Sequence, residues 1–202
     1  MKICYIVGAG DFERPFSPSD DDLVIAADGG YDGLKRFNIR CDLLIGDLDS
    51  IKSKPDAKET ITFPVRKDET DMHLAYLEGA RRGYDVFHIY GGTGGREDHT
   101  FANYCLLKYI REDGRRATLF SNNADITLIK NEEITVTGEA GKHLSLFPFG
   151  SDGGGVSVLG AEYECENKKI FSSFPLTVSN IFKDSPVRVR ISDGALLIIK
   201  EI

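Results

Sequence analysis

Apolar positions in the first 120 residues fall into short runs, and the stretches between them carry helical spacing. Runs at residues 2–7, 23–27, 43–45, 60–63, 86–90 and 116–120 predict strands. Those at 23–27 and 43–45 are apolar throughout, as strands buried on both faces should be. A helical stretch follows near residues 31–37. From Thr70 to about Arg82, Met72, Ala75, Tyr76 and Ala80 recur near helical spacing, and Gly83 supplies a stop. From about Asp98 to Glu112 the pattern predicts a third helix, with Phe101, Cys105, Leu106 and Ile110 on one side. Strands alternating with helices predict a parallel sheet covered by helices.

The pattern changes near Asn122-Asn123-Ala124-Asp125. Beyond it lie only short strand-like runs, at 126–129, 133–137, 143–148, 156–159, 162–165, 177–179, 186–191 and 195–200, with turn signals such as Thr137-Gly138, residues 150–154 and Asp193-Gly194 between them. The expected fold class is therefore α/β plus all-β. An N-terminal parallel-sheet α/β domain occupies residues 1–123, and a small C-terminal β-sandwich or barrel domain occupies 124–202. No low-complexity linker separates the halves.

The chain has 202 residues and is 41% hydrophobic, enough for a real core. A net charge of −7 argues against a nucleic-acid binder, which needs a basic face. The four cysteines, Cys4, Cys41, Cys105 and Cys165, form no CxxC pair, which argues against zinc. Cys4 and Cys105 sit in apolar patterns and are expected to be buried thiols. The N-terminal apolar run is too short for a signal peptide, and no stretch approaches the ~18–20 apolar residues of a membrane span. These features predict a cytoplasmic protein with no membrane association.

The informative chemistry is a repeated one. Four times an apolar run ends and aspartates follow: Asp28-Gly29-Gly30, Gly46-Asp47-Leu48-Asp49-Ser50, Lys67-Asp68-Glu69-Thr70-Asp71, and Gly91-Gly92-Thr93-Gly94-Gly95-Arg96-Glu97-Asp98. In an open parallel sheet the loops at the carboxyl ends of the strands share one edge, where ligands bind. Carboxylates gathered there repel one another unless a cation sits among them. Asp47 and Asp49 are i and i+2, on one side of an extended segment, and suit Mg²⁺, a hard cation that prefers oxygen ligands. The bland alternative is a turn, which Asp and Ser also favour. Asp68 or Thr70 could cap the following helix, and Asp71 in its first turn suits the helix dipole. Lys67 either neutralises a phosphate or lies in solvent. Residues 91–98 let the backbone approach a ligand closely. The helix N-terminus that follows and the Arg96 fork suit a phosphate, whereas Asp98 would face a metal or a cationic group. The spacing matches neither a Walker A loop nor a dinucleotide fingerprint. His73 and His99 read as ordinary helix residues.

Taken together, these motifs resemble the thiamine pyrophosphokinase family, on Ala27-Asp28-Gly29-Gly30, residues 46–50, 67–71 and 91–99, with Asn103. The likeness continues at Gly160-Ala161-Glu162-Tyr163 and Val178-Ser179-Asn180, though family members often carry a bulkier apolar residue at 161 and a basic one at 162. The resemblance implies Mg²⁺-dependent transfer of a pyrophosphoryl group from ATP, as co-substrate, to the hydroxyl of thiamine, giving thiamine diphosphate and AMP. It implies Asp47, Asp49 and Asp71 as catalytic metal ligands with Asp28 in support. It places the nucleotide on Asp28, Gly92, Gly94, Gly95 and Arg96, and thiamine on Asp68, Asp98, Tyr163, Ser179 and Asn180. It also implies a homodimer, with sites between the α/β domain of one subunit and the β domain of the other. Two rival readings are a metal-dependent glycosyltransferase, which suits Asp47-Leu48-Asp49 alone, and a nucleotide-sensing module without turnover.

Overall fold

A computed structural model describes residues 1–47, 55–64, 68–174, 176–184 and 186–202. It divides into two compact units, residues 1–106 with 115–122, and residues 107–114 with 123–202.

The first unit is built on a parallel sheet of β1 (Cys4–Val7), β2 (Leu23–Ala27), β3 (Leu43–Gly46), β4 (Glu59–Thr62), β5 (Val86–Tyr90) and β6 (Arg116–Phe120). The strand order is β6-β5-β1-β2-β3-β4, and every neighbouring pair is parallel. All residues of β1, β2 and β3 are buried, as their unbroken apolar runs require. Alternate side chains face opposite ways. Tyr5, Val7, Val24, Ala26 and Leu44 form one cluster with Phe12 and with Tyr31 and Leu34 of helix α1 (Gly30–Arg36). Phe16 stacks on Tyr5 there, with ring centroids 4.2 Å apart. On helix α2 (Asp71–Arg81), Met72, Ala75 and Tyr76 are buried, and the Tyr76 ring meets Phe87 of β5 edge-on at 4.9 Å.

Thr70 is the residue that caps α2: its hydroxyl oxygen accepts the His73 N–H at 3.2 Å. Helix α3 spans Glu97–Glu112. Its buried side chains are Asn103, Leu106, Leu107 and Ile110, while Phe101 and Cys105 are exposed. The expected face is thus turned. A polar residue heads the buried stripe, and a pattern of apolar positions alone set the phase from Phe101 instead. Cys105 is correspondingly not a buried thiol.

The second unit has two antiparallel sheets. One orders β12 (Asn180–Ile181), β9 (His143–Pro148), β14 (Ala195–Glu201) and β7 (Ala124–Lys130). The other orders β11 (Cys165–Ile170), β10 (Gly153–Leu159), β13 (Val187–Arg190) and β8 (Glu133–Val136). Leu144, Leu146, Leu196 and Ile198 from the first sheet and Val156, Val158, Val187 and Val189 from the second share one core, so the sheets form a sandwich.

Two expected strands are misplaced. The strand expected at 162–165 lies at Cys165–Ile170, because β11 is an edge strand whose Glu166, Asn167, Lys168 and Lys169 are exposed and carry no apolar signal. The strand expected at 177–179 is a turn, and only Asn180–Ile181 pairs with β9.

Candidate active site

The strand order places the site. From β1 the chain moves outward through β2 and β3 to β4, then returns to the other side of β1 for β5 and β6. The connections after β1 and β5 therefore diverge and leave a crevice at the carboxyl ends of the strands. Gly8-Ala9-Gly10 follows β1, and residues 91–95 follow β5. The two loops are pinned together. Gly8 N–H donates to the Tyr90 carbonyl at 2.8 Å, Gly10 N–H to the Gly91 carbonyl at 2.8 Å, and Asp11 N–H to the Thr93 carbonyl at 2.7 Å. Gly91 has φ +59, and a Cβ there would lie 2.2 Å from the Gly8 carbonyl oxygen, so no side chain is possible.

Between these loops and the neighbouring strand ends lies a cavity of about 620 Å³. Four carboxylates line it, Asp28, Asp47, Glu69 and Asp71, together with Gly8, Gly10, Gly92, Gly95 and Arg96. Asp28 ends β2 in the left-handed region at φ 48, which Asp tolerates, and its N–H donates to the Ile45 carbonyl at 2.7 Å. Asp47 directly follows β3. Asp71 opens α2, at the positive end of its dipole. Asn103, 6% exposed, reaches from α3 to donate its Nδ2 to the Gly92 carbonyl at 2.8 Å.

The cavity thus brings together Asp28, Asp47, Asp71, Gly92, Gly95 and Arg96. Gly94, Asp68 and Asp98 do not line it. Asp49 and Lys67 lie outside the described residues. Asp98 instead holds Arg96 along one edge of the guanidinium, with Nε at 3.1 Å from Oδ1 and Nη2 at 2.5 Å from Oδ2. The Asp98 carboxylate also accepts the His99 N–H at 2.9 Å. Arg96 first, then that N–H, hold its carboxyl below the usual range.

Tyr163, Ser179 and Asn180 belong to the second unit. The buried Asn180 amide is committed to scaffolding: Oδ1 accepts the N–H groups of Tyr163 and Ile181, both at 2.9 Å, and Nδ2 donates to the Tyr163 carbonyl at 2.8 Å. It fixes a turn that leaves the Tyr163 ring 67% exposed. Ser179 is exposed at φ 55, and its N–H donates to Ser145 Oγ at 3.0 Å.

Sequence reasoning missed the Gly8-Ala9-Gly10 loop and the contribution of Glu69. The loop did carry a signal, since glycines and then Asp11 follow an apolar strand there as they do at the other strand ends. Burial pushes the Cys41 thiol up to about 12 and raises that of Cys4, so neither is a nucleophile. Among the described residues no three His, Cys, Asp or Glu side chains converge closely enough to hold an ion. The cavity's anionic groups are all carboxylates, whose oxygens fit a hard cation such as Mg²⁺. No helix among the described residues is long and apolar enough to cross a membrane.

Fold and site define a class: a chain of two units, one an enzyme-type α/β unit with an acidic, glycine-looped cavity at the switch point of its sheet, the other a β-sandwich. The family model described as thiamin pyrophosphokinase, catalytic domain, matches residues 18–119, and that described as thiamin pyrophosphokinase, vitamin B1 binding domain, matches residues 127–196. The chain belongs to the thiamine pyrophosphokinase family, a family of enzymes. It is 26% identical over 162 residues to thiamine pyrophosphokinase of Bacillus subtilis (strain 168), covering 77% of this chain and 76% of that protein. The crystal structure of thiamine pyrophosphokinase from Bacillus subtilis matches with TM-score 0.87 at 24% identity, covering 100% of this chain and 99% of the other. That of thiamin pyrophosphokinase from Geobacillus thermodenitrificans matches with TM-score 0.85 at 25% identity, covering 99% and 97%. Thiamin pyrophosphokinase from Candida albicans shares the fold with TM-score 0.76 at 16% identity, covering 99% and 89%. Family membership displaces the glycosyltransferase and non-enzymatic readings.

Proposed function

We propose that this chain transfers a pyrophosphoryl group from ATP to the hydroxyethyl oxygen of thiamine, releasing AMP. The observation that carries the reading is one cavity lined both by carboxylates and by glycine backbone with Arg96. Pyrophosphoryl transfer needs that pairing, because such reactions depend mainly on positioning and charge stabilisation. The thiamine hydroxyl attacks the β-phosphorus. A new oxygen–phosphorus bond forms, the bond to the bridging oxygen of AMP breaks, and the hydroxyl proton is lost.

Asp47, Asp49 and Asp71 would hold Mg²⁺, with Asp28 beside them, and bound Mg²⁺ would offset the charge of the triphosphate. The backbone around Gly92 and Gly95 and the Arg96 guanidinium hold the phosphates, with Gly94 shaping the loop between them. Asp68 or Asp98 would face thiamine, where a carboxylate can pair with the aminopyrimidine. Tyr163 would offer its exposed ring to the cationic thiazolium, Ser179 would also contact thiamine, and Asn180 sets the Tyr163 turn. In this reading residues 1–123 form the ATP- and Mg²⁺-binding catalytic domain and 124–202 the thiamine-binding domain. The working unit is a cytoplasmic homodimer whose sites combine the two domains from different subunits. Incubation with Mg²⁺, ATP and thiamine tests it: AMP should appear only when thiamine is present, and ADP or no turnover would overturn it.

A further inference from the structure

Arg96 stands at the mouth of the glycine loop, yet its phosphate-binding edge is already filled. Asp98 occupies that edge with both oxygens, Nε–Oδ1 at 3.1 Å and Nη2–Oδ2 at 2.5 Å. This is the side-by-side geometry in which a guanidinium takes two phosphate oxygens. Carboxylate and phosphate therefore compete for one fork. Arg96 lines the cavity, whereas Asp98 does not. Both side chains are largely exposed, at 73% and 63%, so the pair is weak and easily exchanged.

We propose that Asp98 is a stand-in for phosphate: it holds Arg96 until the nucleotide arrives, and a phosphate then takes its place on the fork. The exchange frees a carboxylate at the edge of the cavity at the moment when the cationic second substrate must bind. Asp98 is thus a positioning residue that couples the two substrates. By linkage, whatever factor the nucleotide adds to thiamine affinity, thiamine adds to nucleotide affinity. The inference rests on the assignment of Arg96 to the nucleotide.

The test is calorimetric binding of a nonhydrolysable ATP analogue with Mg²⁺, without thiamine, to the wild type, Asp98→Asn, Glu97→Gln, Arg96→Ala and the two double variants Arg96→Ala/Asp98→Asn and Arg96→Ala/Glu97→Gln. Glu97 is an adjacent exposed carboxylate on the same helical turn, so Glu97→Gln reports the plain effect of losing one negative charge near a polyanion. Asp98→Asn should tighten the analogue about 2- to 5-fold beyond Glu97→Gln when Arg96 is present, and no further than Glu97→Gln when Arg96 is Ala. In the wild type the analogue should raise thiamine affinity, and Arg96→Ala should abolish that gain. Weaker nucleotide binding by Asp98→Asn would mean that Asp98 holds Arg96 in its working place, and would overturn the exchange. An effect equal to Glu97→Gln in both backgrounds would overturn it too. If the wild type binds the analogue but Arg96→Ala binds it equally well, the assignment of Arg96 to the nucleotide falls, and the exchange with it. If the wild type binds no analogue at all, the proposed function itself fails.

Discussion

The Asn103 side chain donates to the Gly92 carbonyl at 2.8 Å from a buried position on α3, tying the helix to the glycine loop that walls the cavity. It accounts for a polar residue on the buried face of α3. Removing the amide leaves a carbonyl away from water without its donor, which costs ~1–3 kcal/mol. Asn103→Ala should therefore lower the denaturation midpoint and raise KM for ATP more than it lowers kcat. Chemical denaturation together with steady-state kinetics would reveal a purely structural role if KM stayed unchanged.

Gly94 sits at φ +80, and a Cβ there would lie 2.1 Å from the Asp11 carboxylate. Two penalties are superimposed, a clash and a left-handed backbone costing ~1–2 kcal/mol for a residue with a side chain. Gly94→Ala should weaken ATP binding, and adding Asp11→Ala should recover only part of the loss. Full recovery, read from KM for ATP, would show that sterics alone fix glycine there.

Glu78 on α2 ion-pairs with Arg81 at 2.6 Å and with Arg82, just past the helix end, at 2.7 Å, and these partners pull its carboxyl down from 4.5 to about 2. A depressed carboxyl stabilises the fold above its unfolded pKa and loses that stability as pH falls through the folded value. Wild type should exceed Glu78→Gln by ~1 kcal/mol at pH 7, discounted for the exposure of Arg81. The gap should close between about pH 4.5 and pH 2. Urea denaturation across that range would contradict the assignment if the gap were independent of pH.

How much of this was legible beforehand depends on range. The parallel strands of the first unit were readable because burial on both faces leaves unbroken apolar runs such as Leu23–Ala27. The aspartates at the ends of β2 and β3 were readable for the same reason, as polar residues that interrupt such runs. The partner of the β5 loop was not. That β1 lies between β2 and β5 is a long-range pairing, and only it reveals that Gly8-Ala9-Gly10 faces residues 91–95. The face of α3 was misread because Asn103 belongs to the buried stripe while Phe101 is exposed. β11 was misread because an edge strand with Glu166, Lys168 and Lys169 turned to solvent has no apolar alternation to detect. Asp98 was legible as a residue of the loop region, but its pairing with Arg96 is a side-chain geometry that spacing does not specify.

The cavity's aspartates should be dispensable for folding and essential for turnover. Asp47 and Asp71 are partly exposed at a strand end and a helix start, so Asn at either position should leave the unfolding free energy within about 1 kcal/mol of wild type. Asp47→Asn, Asp71→Asn and Asp49→Asn should each cut kcat by orders of magnitude, and near-normal turnover in any of them would remove that residue from the metal-binding set.

The most direct test of the whole account follows phosphorus. With Mg²⁺, thiamine and ATP labelled at the β-phosphorus, the account predicts that the label passes to thiamine diphosphate, that unlabelled AMP appears in equal amount, and that Asp47→Asn abolishes both while remaining folded. Label retained in ADP, or transfer undiminished in Asp47→Asn, would contradict pyrophosphoryl transfer at this carboxylate-lined cavity.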